Sequence, residues 1–307
     1  MDFEEMIKSL VPVSELVSQE EIDQALASET PLQKEFDNRK GPAVTNENGG
    51  KSPQIDYHVF TPRDKQPGKK YPVLFWLHGM SQGKCFREPL RGTEVSKFAS
   101  PEFQAKFGDG AYIVVPRANE DLGMGSKVGF LFTNSWINGF DEIGTSKQRP
   151  ELLAAIQQFL DEEKDSVDTS RLYLSGFSAG GYMTWQTLLA LPDTFAAVAP
   201  ICHARLVPTD EQLASVKHVP LWLICGEKDF LYQGDVAPTI EKLKAAHPPE
   251  LLRTSIFESV LNPDRTPAES EHHSWVPVTY DMFYTDGKPY DEKYPKGFID
   301  WLMSHQK

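Results

Sequence analysis

Gly176-Phe177-Ser178-Ala179-Gly180-Gly181 sets a serine hydroxyl between glycines two residues to either side. The stretch follows the run Arg171-Leu172-Tyr173-Leu174-Ser175 and precedes a helical segment beginning near Tyr182. A serine on a sharp strand-to-helix turn lifts its Oγ above a sheet, and side chains at 176 and 180 would collide there. The N-terminus of the following helix aims backbone N–H groups at developing negative charge. This context predicts that Ser178 is a nucleophile for acyl transfer. A chance GxSxG turn is the weaker alternative, because the strand–turn–helix setting is specific.

A serine hydroxyl needs a general base within reach and a group that orients the base. In a sheet of this kind the chain order is Ser, then Asp or Glu, then His. The acid should therefore end a strand beyond residue 200. Asp229 in Leu221-Trp222-Leu223-Ile224-Cys225-Gly226-Glu227-Lys228-Asp229 meets that demand best, with Glu227 and Asp235 as alternatives. Beyond Asp229 lie His247, His272 and His273. His247 reads as a helix-end residue before Pro248-Pro249. The base should be one of the adjacent pair His272 and His273, between which spacing does not choose. The oxyanion site needs two donors. One is expected from the backbone of Ala179, and Met80, in the glycine-containing loop His78-Gly79-Met80, is expected to give the other. His78 itself reads as a structural loop residue.

These side chains need a scaffold of strands ending at one edge. Ile55–Phe60 alternates like a strand. Residues 71–77, 111–115, 171–175, 196–201, 220–225 and 255–260 read as further strands, several of them apolar on both faces, as parallel strands covered on both sides are. Helical segments are expected near 151–160, 184–191 and 236–246. The alternation predicts an α/β fold with a mostly parallel central sheet flanked by helices. The first fifty residues differ: residues 3–10 and a capped segment from Ser18 read as helices, and 37–52 as a polar linker or exposed loop. The expected division is an N-terminal helical arm and linker, 1–52, and a catalytic domain, 53–307. The arm reads as a packing arm, or alternatively as a flap over the site or a contact between copies in a homo-oligomer. Glu120–Lys147, rich in glycine and aromatics, is expected at the carboxyl ends of the strands, where ligands bind. Trp136, Phe140 and Trp185 are candidate pocket walls there, with core packing the competing reading.

Composition sets the outer limits. With 307 residues, 40% hydrophobic and 24% charged, the chain has material for a large core. A net charge of −13 excludes a broad basic surface for nucleic acid, and no apolar run is long enough for a membrane span. Three cysteines make no disulfide framework, and Cys202 and Cys225 each follow a strand run. The opening Met1-Asp2-Phe3-Glu4-Glu5 has no apolar leader, so a cytoplasmic location is expected, or a secreted one if a leader has been removed. Adjacent histidines without a Cys or Asp cluster are poor metal ligands, so no metal and no organic cofactor are expected.

Together these stretches resemble the α/β-hydrolase superfamily. From Ile55 to Lys307 the chain is similar to esterases related to polyhydroxybutyrate depolymerases and feruloyl esterases, a group also given a peptidase-type description. The likeness rests on Leu77-His78-Gly79, on Val167 through Gly181, and on Phe195-Ala196-Ala197-Val198-Ala199-Pro200-Ile201-Cys202. The family follows its catalytic histidine with two residues and a tryptophan, so the resemblance selects His272 of His272-His273-Ser274-Trp275 and supports Asp229 through Gly226-x-x-Asp229. Glu271 stands where the family commonly has glycine, and Thr285–Tyr290 lengthens the segment before Trp301. The resemblance implies a serine carboxylic-ester hydrolase acting on small or aromatic esters of the acetyl or feruloyl type, free or carbohydrate-linked. A peptidase or aminoacyl amidase is the first alternative, and a non-catalytic interaction module on the same scaffold the second.

Overall fold

The computed structural model describes residues 20, 23–24, 27–45, 49–52, 54–83, 87–91, 93–118, 145–285, 288–289 and 297–307. The helix expected over 3–10, most of the glycine-rich segment after β4, and Cys85, Trp136 and Phe140 lie outside these residues. Eight strands form one sheet: β1 (Phe36–Lys40), β2 (Asp56–Phe60), β3 (Tyr71–Leu77), β4 (Tyr112–Pro116), β5 (Val167–Phe177), β6 (Ala197–Ile201), β7 (Leu221–Gly226) and β8 (Leu252–Phe257). Their order is β1-β2-β4-β3-β5-β6-β7-β8. β1 and β2 pair antiparallel, as do β2 and β4, and the rest of the sheet is parallel. The principal helices are α1 (Arg149–Glu162), α2 (Ala179–Ala190), α3 (Ala237–Ala246), α4 (Trp275–Thr279) and α5 (Phe298–Met303). This is the mostly parallel, helix-flanked sheet that the apolar runs predict.

Two elements depart from expectation. Phe36–Lys40, whose residues 37–40 read as the start of a linker, is an edge strand paired with β2 from Phe36↔Phe60 to Lys40↔Asp56. Only Phe36 is buried, so no apolar alternation marks it. Backbone pairing and charges hold it instead. Arg39 reaches Glu162, the last residue of α1, at 3.2 Å and Glu163, just beyond it, at 2.8 Å. The buried Arg87 bonds the Phe36 carbonyl at 2.9 Å, Asn38 at 2.7 Å and Glu29 at 2.6 Å. A polar, charged edge also discourages pairing with another chain. The last strand lies three residues earlier than expected, at Leu252–Phe257, because its alternate residues Arg253, Ser255 and Phe257 turn inward. Arg253 stacks over Trp222 at 3.8 Å, and Trp222 donates to Ser255 at 3.0 Å.

The core lies on both faces of the sheet. β3, β4, β6 and β7 are buried throughout. α2 is buried on nearly every side, from Ala179 through Leu188, as a helix wedged between the sheet and its neighbours must be. Trp222 packs edge to face with Trp301 and at a tilt with Phe298, which brings α5 onto the sheet.

His58 lies inside β2 with its Nδ1 2.7 Å from Asn38 Oδ1. Burial, reinforced by the cations Arg87 and Arg117 and by His78, pushes it down to about 3. His58 is therefore neutral in the folded chain and gains a proton on unfolding anywhere between its folded value and about 6.5. A histidine lowered by folding contributes stability above the unfolded value and loses it as the pH falls below. Between pH 6.5 and 4 it should steepen acid destabilisation by up to about 1.4 kcal/mol per pH unit. Urea unfolding at several pH values should show a slope shallower by about one proton in His58→Gln, whatever that variant's stability at pH 7.

Candidate active site

The elbow is built from close backbone approach. Ser178 sits between β5 and α2 with φ 56 and ψ −119, a strained conformation for a residue with a side chain. Its N–H donates to the Ile201 carbonyl at 3.0 Å, and its own carbonyl accepts from Tyr182 at 3.0 Å and Ala204 at 3.2 Å. The turn is thus tied to the end of β6 as well as to its own helix. A Cβ on Gly176 would come within 2.7 Å of the Leu77 carbonyl oxygen and 2.8 Å of that of Gly180. One on Gly180 would strike the Leu77 and His78 carbonyls, and one on Gly181 the Ile201 carbonyl. The exit of β3 therefore presses directly on the first turn of α2.

That exit carries His78-Gly79-Met80. The His78 ring is fully buried and uses both nitrogens: Nδ1–H donates to the Gly79 carbonyl at 2.6 Å, and Nε2 accepts from the Ala118 N–H at 3.0 Å, just past β4. Burial holds His78 down at about 3, opposed by the Gly79 carbonyl and reinforced by Arg117. It is a neutral pin between two strand exits, the structural part expected of it. A Cβ on Gly79 would meet the Phe177 ring at 2.6 Å, so the glycine lets the loop that starts at Met80 lie against the elbow. Met80 opens the 3-10 turn Met80–Gly83, and Ala179 is the buried first residue of α2.

Asp229 follows the end of β7 and is almost wholly buried. Its Oδ1 accepts from the Leu231 N–H at 2.9 Å. Its Oδ2 faces His272 Nδ1 at 2.8 Å and the Cys225 thiol at 3.6 Å. A carboxylate can only accept, so Nδ1–H is the donor to it, and in the neutral imidazole Nε2 is the nitrogen with the lone pair. Burial disfavours the imidazolium, but the Cys202 sulfur and the Asp229 carboxylate outweigh it and hold His272 above the ordinary imidazole value. The Cys202 Sγ donates to the His272 carbonyl at 3.4 Å, and one donor atom each from Cys202, Asp229 and His272 lies within 4.8 Å of the other two.

The geometry separates the histidines. His272 faces Asp229, whereas the His273 ring packs on Trp275 at 4.7 Å. His247 ends α3 with its Nε2 on the Val219 carbonyl at 3.0 Å. Glu271, in the place of a glycine, accepts from the Val260 N–H at 2.8 Å and from Ser259 at 3.4 Å. It fastens the histidine loop to the chain leaving β8, a contact that the sequence reading did not foresee. Gly226 admits the same loop, since a Cβ there would run into the Glu271 carbonyl. Trp275 stacks on Phe177 at 4.2 Å and ties the start of α4 to the elbow strand. Trp185 is fully buried and packs edge-on to His203 at 6.0 Å. It fills the core, which corrects its reading as a pocket wall. At the rim, Phe230 is 61% exposed with its ring 4.7 Å from that of His272.

A family model described as the prolyl oligopeptidase family (Peptidase_S9) matches residues 140–233. Dipeptidyl peptidase 8 of Mus musculus is 25% identical over 242 residues, 78% of this chain and 24% of that protein. Poly(3-hydroxyalkanoate) depolymerase C of Paucimonas lemoignei is 38% identical over 132 residues, 42% of this chain and 27% of that one. The chain thus spans about a quarter of the length of these curated relatives. Among solved structures, a thermostable esterase superposes with a TM-score of 0.67 at 22% identity, covering 90% of this chain and 64% of its own. The fold is that of the α/β-hydrolases.

The close approach of β3 to α2 is testable without any substrate. Gly180→Ala forces a methyl group against two buried carbonyls, so it should destabilise the fold by about 1–3 kcal/mol or more. Thermal unfolding should show a clear drop in the midpoint. The same substitution at Gly234, which has open space around it, should have a much smaller effect.

Proposed function

We propose that the chain is a serine carboxylic-ester hydrolase that works through an acyl-enzyme. The observation that carries this reading is the 2.8 Å bond from His272 Nδ1–H to the buried Asp229, which leaves Nε2 as a base on the edge of the sheet where the strained Ser178 stands. In the proposed cycle His272 takes the proton of Ser178 as Oγ attacks the ester carbonyl. The N–H groups of Ala179 and Met80 receive the oxyanion, and the imidazolium then delivers the proton to the leaving alcohol. Water repeats the sequence on the acyl-enzyme. Asp229 fixes the tautomer and stabilises the imidazolium in a site from which water is largely excluded. Every group used belongs to the chain itself.

The substrates proposed are small or aromatic esters of the acetyl or feruloyl type, free or carried on carbohydrate. The exposed ring of Phe230 beside His272 supports an aromatic group at the rim, where its face can stack. A peptidase or aminoacyl amidase is the second reading. It is favoured by the similarity to a dipeptidyl peptidase over most of the chain, and by the fact that amide and ester cleavage share this machinery.

Ser178→Ala should abolish turnover of p-nitrophenyl acetate and labelling by a fluorophosphonate, with an unchanged circular dichroism spectrum. Full activity in that variant would refute the assignment. Asp229→Asn should lower kcat on the order of 10⁴-fold by supporting the wrong tautomer. A panel of p-nitrophenyl esters, a feruloyl ester and aminoacyl amides separates the two readings, and rapid amide cleavage without ester turnover would overturn the first.

A further inference from the structure

The adjacent histidines His272 and His273 are poor metal ligands as a pair. The fold brings together a different set: the Cys202 thiol at the end of β6, the Asp229 carboxylate after β7 and the His272 imidazole after β8. We propose that these three groups form a binding site for a thiophilic divalent cation of the zinc class, and that its occupation switches the hydrolase off. The inhibitory consequence rests on the hydrolase reading above; the binding site does not.

The donor set is one such a cation selects: one sulfur, one oxygen and one nitrogen. Tetrahedral zinc, with bonds of roughly 2.0–2.3 Å, places its donors about 3.3–3.8 Å apart. The three donors already lie within 4.8 Å of one another; to reach that spacing the widest pair draws in by about an ångström at most, while Asp229 Oδ2 and His272 Nδ1, 2.8 Å apart, spread by roughly half an ångström. A thiolate and a carboxylate neutralise a dication, which makes the charge tolerable in a buried setting. The donors are also pre-positioned. Cys202 is held by its N–H on the Ile224 carbonyl at 2.7 Å, Asp229 by the Leu231 N–H at 2.9 Å, and the His272 backbone by Ser270 Oγ at 3.1 Å. Cys225, 3.6 Å from Asp229 Oδ2, supports the carboxylate from behind. The His272 side chain retains 15% exposure, and that of Asp229 is closed at 0%.

Binding has a definite proton balance. The cation takes the Nδ1 lone pair, and the imidazole proton moves from Nδ1 to Nε2. The Cys202 thiol forms a metal–sulfur bond and releases its proton to solvent. From the neutral imidazole one proton leaves per ion bound, from the imidazolium two, and nothing is oxidised or reduced. With Nε2 protonated and Asp229 engaged by the metal, His272 has no lone pair for the Ser178 proton.

Titration with Cd²⁺ in metal-free buffer should develop an ultraviolet sulfur-to-cadmium charge-transfer band that saturates at one ion, with proton release. Ser178→Ala should give the same band, because the nucleophile is not a ligand. Zn²⁺ should suppress p-nitrophenyl acetate hydrolysis by the wild-type chain at least tenfold, and a chelator should restore it. In Cys202→Ala the band should vanish, and the half-inhibiting Zn²⁺ concentration, measured against that variant's own metal-free rate, should rise at least tenfold. A wild-type chain with no band and no proton release would overturn the proposal, as would inhibition equally strong in Cys202→Ala. A saturating band in a chain that turns over no ester would keep the metal site and remove the ester reading instead.

Discussion

The architecture turns on a short distance between two stretches of backbone, the exit of β3 and the first turn of α2. There is no room for a Cβ at Gly176 or Gly180, and the gap at Gly79 is closed by the Phe177 ring. This contact compels the chain to turn within one residue, and Ser178 takes a positive φ to do so. A strained conformation persists only when its surroundings over-determine it. Here they do, through bonds to Ile201, Tyr182 and Ala204. The strain raises a hydroxyl at the sheet edge and simultaneously brings the His78-Gly79-Met80 loop beside the amino end of a helix.

The other parts are held by different means. Asp229 and His272 come from loops, which are less constrained than strands, yet each is fastened at two or more points. The Leu231 N–H holds the carboxylate, and Ser270, Glu271 and the Cys202 thiol hold the histidine loop. The stack of Trp275 on Phe177 joins that loop to the elbow strand, so the elbow and the Asp229–His272 pair share one frame.

Legibility in the sequence followed the kind of force involved. Buried parallel strands announce themselves as apolar runs, and an elbow as glycines at fixed offsets, because sterics act locally. The nearness of Asp229 and His272 was legible because strand ends of this sheet share an edge and the chain order is constrained. β1 was not, since its single buried residue leaves no period to read and its partners, Arg87 and the Glu162 and Glu163 carboxylates, are distant in sequence. Glu271 as a loop fastener, Trp185 as a core residue and the approach of Cys202 to Asp229 and His272 all depend on which neighbours the sheet order supplies. The register Ile201↔Ile224 places Cys202 beside Cys225, a juxtaposition that only strand pairing creates.

The near-complete burial of α2 has a consequence for how the molecule fails. A helix with almost no solvent-facing side and a glycine-packed first turn cannot fray by itself, because each of its amides opens only when the sheet beneath it opens. Its amide protons belong among the slowest to exchange, at the free energy of global unfolding. Partial denaturation that loosens β1 or the outer loops leaves the serine where it stands. The turn that holds Ser178 is therefore among the last local structures to be lost on unfolding and among those whose formation requires the assembled sheet.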